Sequence, residues 1–132
     1  MSVYRWVDHT AEVELEIEAA GEGEVLEEAV RALAELLGVE GHGDERRSVA
    51  VEATDRPALL AAWIDELAFL AESEGFVATG VVELEFEGAG GLRATVAGVL
   101  AEPPPLVKAV TYHRLEFAPR GEGYGARVIL DV

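Results

Sequence analysis

Residues 12–19 alternate without a break: Glu12, Glu14, Glu16 and Glu18 on one side, and Val13, Leu15, Ile17 and Ala19 on the other. A period of two with one wholly apolar side demands a strand that is wet on one face and packed on the other. The rest of the chain must therefore supply partner strands and a cover for that apolar face.

Gly21 and Gly23 end the alternation, and residues 25–37 follow a helical period through Leu26, Ala29, Val30, Leu33 and Leu37. Glu27 and Glu28 are expected in the first turn, where the helix dipole favours acids, and Gly38 as a left-handed stop. A glycine-punctuated loop over 39–44 leads to a second alternation at 48–53, with Val49, Val51 and Ala53 inward. Asp55 followed by Pro57 reads as a cap and an early helical proline. That helix runs to about Glu74, buries Leu59, Leu60, Trp63, Ile64, Leu67 and Leu70, and stops at Gly75. Residues 81–87 set Val82, Leu84 and Phe86 against acids, and the Gly88–Gly91 turn joins them to a strand over 92–99. Pro103-Pro104-Pro105 is a stiff extended connector. Strands over 106–117 and 126–132, separated by a turn, close the chain.

Two strand–helix units followed by hairpins predict an α+β fold: a mixed or antiparallel sheet with two helices on one face. Nothing resembles a linker, so residues 1–132 read as a single domain built from two interleaved halves.

Composition limits function. The 26 acidic and 10 basic residues give a net charge of −16. Phosphate backbones are bound by neutralising them with positive charge, so direct RNA binding is not expected. If the biology involves RNA, the contact is expected through a basic protein partner, whose encounter the acidic field would speed; taken alone, the charge reads first as a solubilising surface. There is no cysteine, hence no disulfide, thiolate nucleophile or cysteine zinc site. With no apolar run of membrane-spanning length and no signal-like start, the expectation is a cytoplasmic protein without a membrane role.

Catalytic templates are absent: no phosphate-binding glycine loop before a helix, no nucleophile elbow, no helical zinc pair. Three features remain. Asp8-His9-Thr10-Ala11-Glu12 gathers two carboxylates, an imidazole and a hydroxyl in a loop expected just before the first strand. Carboxylates without thiolates suit a hard divalent ion, Ca²⁺, Mg²⁺ or Mn²⁺, with Asp131 and the Val132 carboxylate as further donors. Asp8 and Thr10 equally suit a hydrogen-bonded turn, and spacing leaves both readings open. Lys108, the only lysine among ten basic residues, lies in Val107-Lys108-Ala109-Val110-Thr111-Tyr112-His113. It reads either as a site needing a compact ammonium or as one solvated strand residue. His113 on the same segment reads first as a packing residue, and His42 as solvated.

Asp8-His9-Thr10-Ala11-Glu12, Val25-Leu26-Glu27-Glu28-Ala29, Trp63-Ile64-Asp65-Glu66-Leu67, residues 107–113 and Val128-Ile129-Leu130-Asp131-Val132 occur in the order found in the archease family, which the chain resembles throughout. The resemblance implies a strand–helix–strand–strand module inserted in a related one. It implies an accessory protein, not an enzyme: an activator of the GTP-dependent tRNA-splicing RNA ligase that promotes guanylylation and multiple turnover. It also implies a metal site near the N-terminal motif and C-terminal end, carried here by Glu12, Asp131 and Val132. Asp8, His9, Lys108 and His113 would support that site or contact the partner. Glu12 stands where the family usually has aspartate, and Glu102-Pro103-Pro104-Pro105 where many relatives carry an Arg-His pair. Two other expectations stand beside this one: a chaperone-like module for another tRNA-processing enzyme such as a tRNA methyltransferase, and a small hydrolase using Asp8, His9 and His113.

Overall fold

The computed structural model describes residues 2–103 and 106–132. The alternating segment is strand β2 (Glu12–Ala19), and it is an inner strand of its sheet. Its neighbour β1 (Val3–His9) carries Asp8 and His9, where the sequence predicts a loop. Only Thr10 and Ala11 make the turn, with Ala11 in the left-handed region at φ 60°, so pairing runs from Val3–Glu18 to His9–Glu12. The inward residues of β1 are aromatic with polar tips. Tyr4 donates to Glu35 and the Trp6 indole to the Ala32 carbonyl, which hides an apolar alternation.

Helix α1 (Glu22–Leu36) begins three residues before the apolar period does. Its first-turn acids are Glu22 and Glu24, and Glu28 is buried, paired to Arg31 at 2.7 Å. Gly38 follows at φ 79°, as expected for a stop. β3 (Glu45–Glu52) leads to α2 (Arg56–Glu74), where the Asp55 carboxylate accepts from the Ala58 N–H at 3.0 Å. Gly75 closes the helix at φ 65°. All six predicted core residues of α2 are buried.

β4 (Phe76–Glu87) and β5 (Gly91–Leu100) form the glycine-turned hairpin. A register shift between Val81 and Glu83 turns Val82 out to solvent, against the inward position its alternation suggests. Of the expected proline connector, Pro104 and Pro105 lie outside the described residues. β6 (Ala109–Arg120) starts just after Lys108 and pairs with β7 (Gly123–Asp131).

The described strands divide into two sheets, ordered β1-β2-β7-β6 and β3-β5-β4, and every pairing is antiparallel. β3, α2, β4 and β5 are a strand–helix–strand–strand module whose strands pair only with one another. It is inserted between α1 and β6 of the larger unit. α1 touches β1, β2 and β7 but also β4, and α2 touches β3 and β4 but also β6 and β7. The two helices thus join both sheets around one core that includes Leu15, Leu26, Trp63, Phe76, Val96 and Val128. The Trp63 indole donates to the Leu26 carbonyl at 3.1 Å, stitching α2 to α1. Burying residues of this size stabilises by roughly 1.5–3 kcal/mol each.

Candidate functional site

The outer face of the four-stranded sheet carries the glutamates of β2, and pairing fixes their neighbours. Residues directly opposite in an antiparallel sheet share a face. The row nearest the chain terminus is therefore His9, Glu12, Asp131 and Ala109. The next is Val7, Glu14, Ile129 and Thr111, and the third begins Arg5, Glu16, Arg127 and Glu116.

The first row unites residues from opposite ends of the sequence. Glu12 and Asp131 are direct cross-strand partners. Such pairs hold their Cβ atoms about 4.5–5.5 Å apart, and like charges there repel. Among the described residues neither side chain has a salt-bridge partner. The main chain knits the same end together: Lys108 N–H donates to the Asp131 carbonyl at 2.8 Å and Val132 N–H to the Ala11 carbonyl at 3.3 Å. Lys108 and His9 are exposed. Asp8 pairs with Val13, so it faces the opposite way and does not join Glu12 and Asp131. Among the described residues, no three His, Cys, Asp or Glu side chains form a ready-made ion cage.

The third row neutralises its charges internally. Arg5 meets Glu16 at 2.5 Å, Arg127 meets Glu116 at 3.1 Å, and Arg120 also reaches Glu116. The hydrogen bond from Arg5 holds the Glu16 carboxyl below the ordinary glutamate value, while burial works against it.

The middle row contains what sequence reasoning missed. Glu14 is only 4% exposed although it alternates with solvated glutamates. Its Oε1 lies 3.2 Å from Arg114 Nη1 and 3.4 Å from His9 Nε2. Arg114 belongs to β6, where the ladder breaks between Thr111 and Glu116, and it adopts φ 58°. Tyr112 and His113 lie in that same break and are exposed. Neither Glu14 nor Arg114 carries a local signal, because the contact depends on a bulge between distant strands.

Residues 4–132 match the model of the Archease protein family (MTH1598/TM1083). The archease of Archaeoglobus fulgidus is 31% identical over 140 residues, spanning 98% of both chains. That of Thermococcus gammatolerans is 36% identical over 136 residues, spanning 89% of this chain and 92% of its own. The chain belongs to the archease family. The solution structure of Methanobacterium thermoautotrophicum protein 1598 superposes with a TM-score of 0.72 at 27% identity, over 98% of each chain. The crystal structure of a Thermotoga maritima protein described as an archease and possible chaperone gives 0.67 at 23% identity, again over 98% of each, and shows the shared fold. The two helices and seven strands in two antiparallel sheets thus form an α+β fold shared with archease structures. No helix among the described residues is long and apolar enough to cross a membrane.

Proposed function

We propose that this protein is an accessory factor that activates the GTP-dependent tRNA-splicing RNA ligase, promoting its guanylylation and repeated turnover. Family membership supplies the frame, and the observation that carries the reading is the direct opposition of Glu12 and Asp131. Two like charges facing one another, with no salt-bridge partner among the described residues, have a physical reason to recruit a cation. All-oxygen donors suit Ca²⁺, Mg²⁺ or Mn²⁺. Glu12, Asp131 and Val132 would hold the ion. A bound ion would supply positive charge at an otherwise anionic tip.

Around that position the chain's own groups have distinct tasks. The Lys108 and Val132 main-chain bonds keep β6, β7 and the 10–11 turn in register. His9 flanks Glu12 in the same row. The exposed Lys108 ammonium and His113 imidazole are available to a partner, and RNA is met only through that partner because the net charge of −16 opposes direct contact.

The test is ligase guanylylation with GTP at limiting Mn²⁺ or Mg²⁺, with the protein in catalytic amounts. Marked acceleration, lost in a folded Asp131→Ala protein, is the expected result. Full acceleration by Asp131→Ala would remove the acidic tip from the mechanism. No acceleration by the wild-type protein would instead favour a chaperone-like module for another tRNA-processing enzyme such as a tRNA methyltransferase. That reading agrees with the possible-chaperone description of the Thermotoga relative.

A further inference from the structure

The break in β6 contains two features that are costly unless something requires them. Arg114 adopts φ 58°, a left-handed conformation that costs a non-glycine residue roughly 1–2 kcal/mol. Such strain persists only where the surroundings hold it, and it clusters at functional segments. The second feature is Glu14, a carboxylate 4% exposed in a row whose neighbours are Val7 and Ile129. An apolar residue would fit that row without a desolvation cost.

Strand order explains how the two are connected. β7 lies between β2 and β6, so the Arg114 side chain must cross β7 to reach Glu14. Two strand spacings amount to about 9.6 Å, within the reach of an extended arginine. Ile129, the β7 residue in that row, is 2% exposed although it faces outward. A lysine could not repeat the contact as well, since its single ammonium lacks the forked donors that fix an orientation. The result is a looped-out segment clamped at one residue and open at the two before it.

What the clamp presents is Tyr112, 65% exposed, with His113 beside it. The other two tyrosines are engaged: Tyr4 donates to Glu35, and Tyr124 packs edge-on against Phe117 at 6.3 Å. A projecting tyrosine on a rigid support offers large amphipathic area at little entropic cost, the usual character of an interface anchor. The first row of the sheet, with Glu12 and Asp131, lies adjacent to the row that holds the clamp.

We propose that Glu14 and Arg114 are positioning residues that hold the β6 bulge as a docking element, and that Tyr112 is its anchor. This rests on the ligase-activator reading. The surface it fits is an apolar pocket with a basic rim on the ligase, the chemistry complementary to an exposed tyrosine on a chain of net charge −16. The bulge confers binding, while the acidic pair acts on the ligase after binding.

Two measurements test this. Hydrogen exchange of the isolated protein compares wild type with Arg114→Gly, which deletes the guanidinium but tolerates the positive φ. Amides of the paired residues that flank the break, Val110, Thr111 and Glu116, should exchange at least about tenfold faster, with β1 and β2 unchanged. Unchanged exchange would overturn the clamp. Guanylylation is then titrated with wild type and Tyr112→Ser. The half-saturating concentration should rise at least about tenfold while the maximal acceleration is kept. An unaltered half-saturating concentration, with wild type active, overturns the anchor alone. Wild type that fails to accelerate the ligase overturns the activator reading, and the ligase as occupant with it.

Discussion

The Lys108 N–H donates to the Asp131 carbonyl at 2.8 Å, so the chain's only lysine is tied to the acidic end through its backbone while its side chain stays exposed. Structure and chemistry are therefore separable at this residue. Lys108→Ala should leave stability within about 0.5 kcal/mol of wild type, as for other exposed side chains. Lys108→Pro removes the donor and should cost about 1–3 kcal/mol. Urea denaturation distinguishes them, and equal losses in both variants would make the side chain itself structural.

Asp131 should behave as a group held for binding at some cost to the fold. Facing Glu12, its charge is mildly destabilising, so Asp131→Asn should be as stable as wild type or more stable, by up to about 1 kcal/mol. In Mn²⁺ the order should reverse, because an ion that binds only the folded state raises its unfolding midpoint. Thermal unfolding with and without Mn²⁺ checks both. Equal stabilisation of the two proteins by Mn²⁺ would place the ion elsewhere.

The sequence discloses elements whose pattern is complete within a few residues. The β2 alternation, the Asp55–Pro57 start of α2 and the Gly38 and Gly75 stops all stand as read. β1 escapes because Tyr4 and Trp6, amphipathic residues bonded to α1, do not alternate as plain apolar residues do. The division into two sheets escapes for another reason: which strands pair is a property of the insertion and is not written in any one strand. Glu14 shows the limit most clearly. It is indistinguishable in sequence from Glu16 and Glu18, yet a bulge on a distant strand buries it. The residues alone offer Asp131 only as one further carboxylate for the Glu12 cluster, and its place beside that cluster comes from the family resemblance, since no local spacing relates residues so far apart in the chain.

Glu16 links the outer face to pH. The Arg5 hydrogen bond holds its folded-state carboxyl below the ordinary 4.5. A lowered carboxyl stabilises the fold above the unfolded-state value, and that contribution disappears as pH falls through the lower folded-state value. The stability advantage of wild type over Arg5→Ala should thus be full at neutral pH and shrink once pH drops below about 4.5. NMR titration of the Glu16 carboxyl should show its midpoint returning toward the ordinary value in Arg5→Ala. A midpoint that does not move would assign the shift to something other than Arg5.

Trp63 decides whether the inserted module and its host are one folding unit. It is fully buried on α2, and its indole donates to Leu26 on α1, so one side chain both fills the shared core and bonds the two helices. Trp63→Phe keeps most of the volume and loses the bond, for an expected cost of about 1–3 kcal/mol. Trp63→Ala adds a cavity and should cost about 3–5 kcal/mol, a large share of the stability of a domain this size. If both sheets share one core, either variant should lower a single cooperative transition, with far-UV circular dichroism and near-UV fluorescence moving together. Two separated transitions would show that the three-stranded module unfolds on its own. The acidic end, built entirely on the other sheet, would then survive the loss of the module that α2 carries.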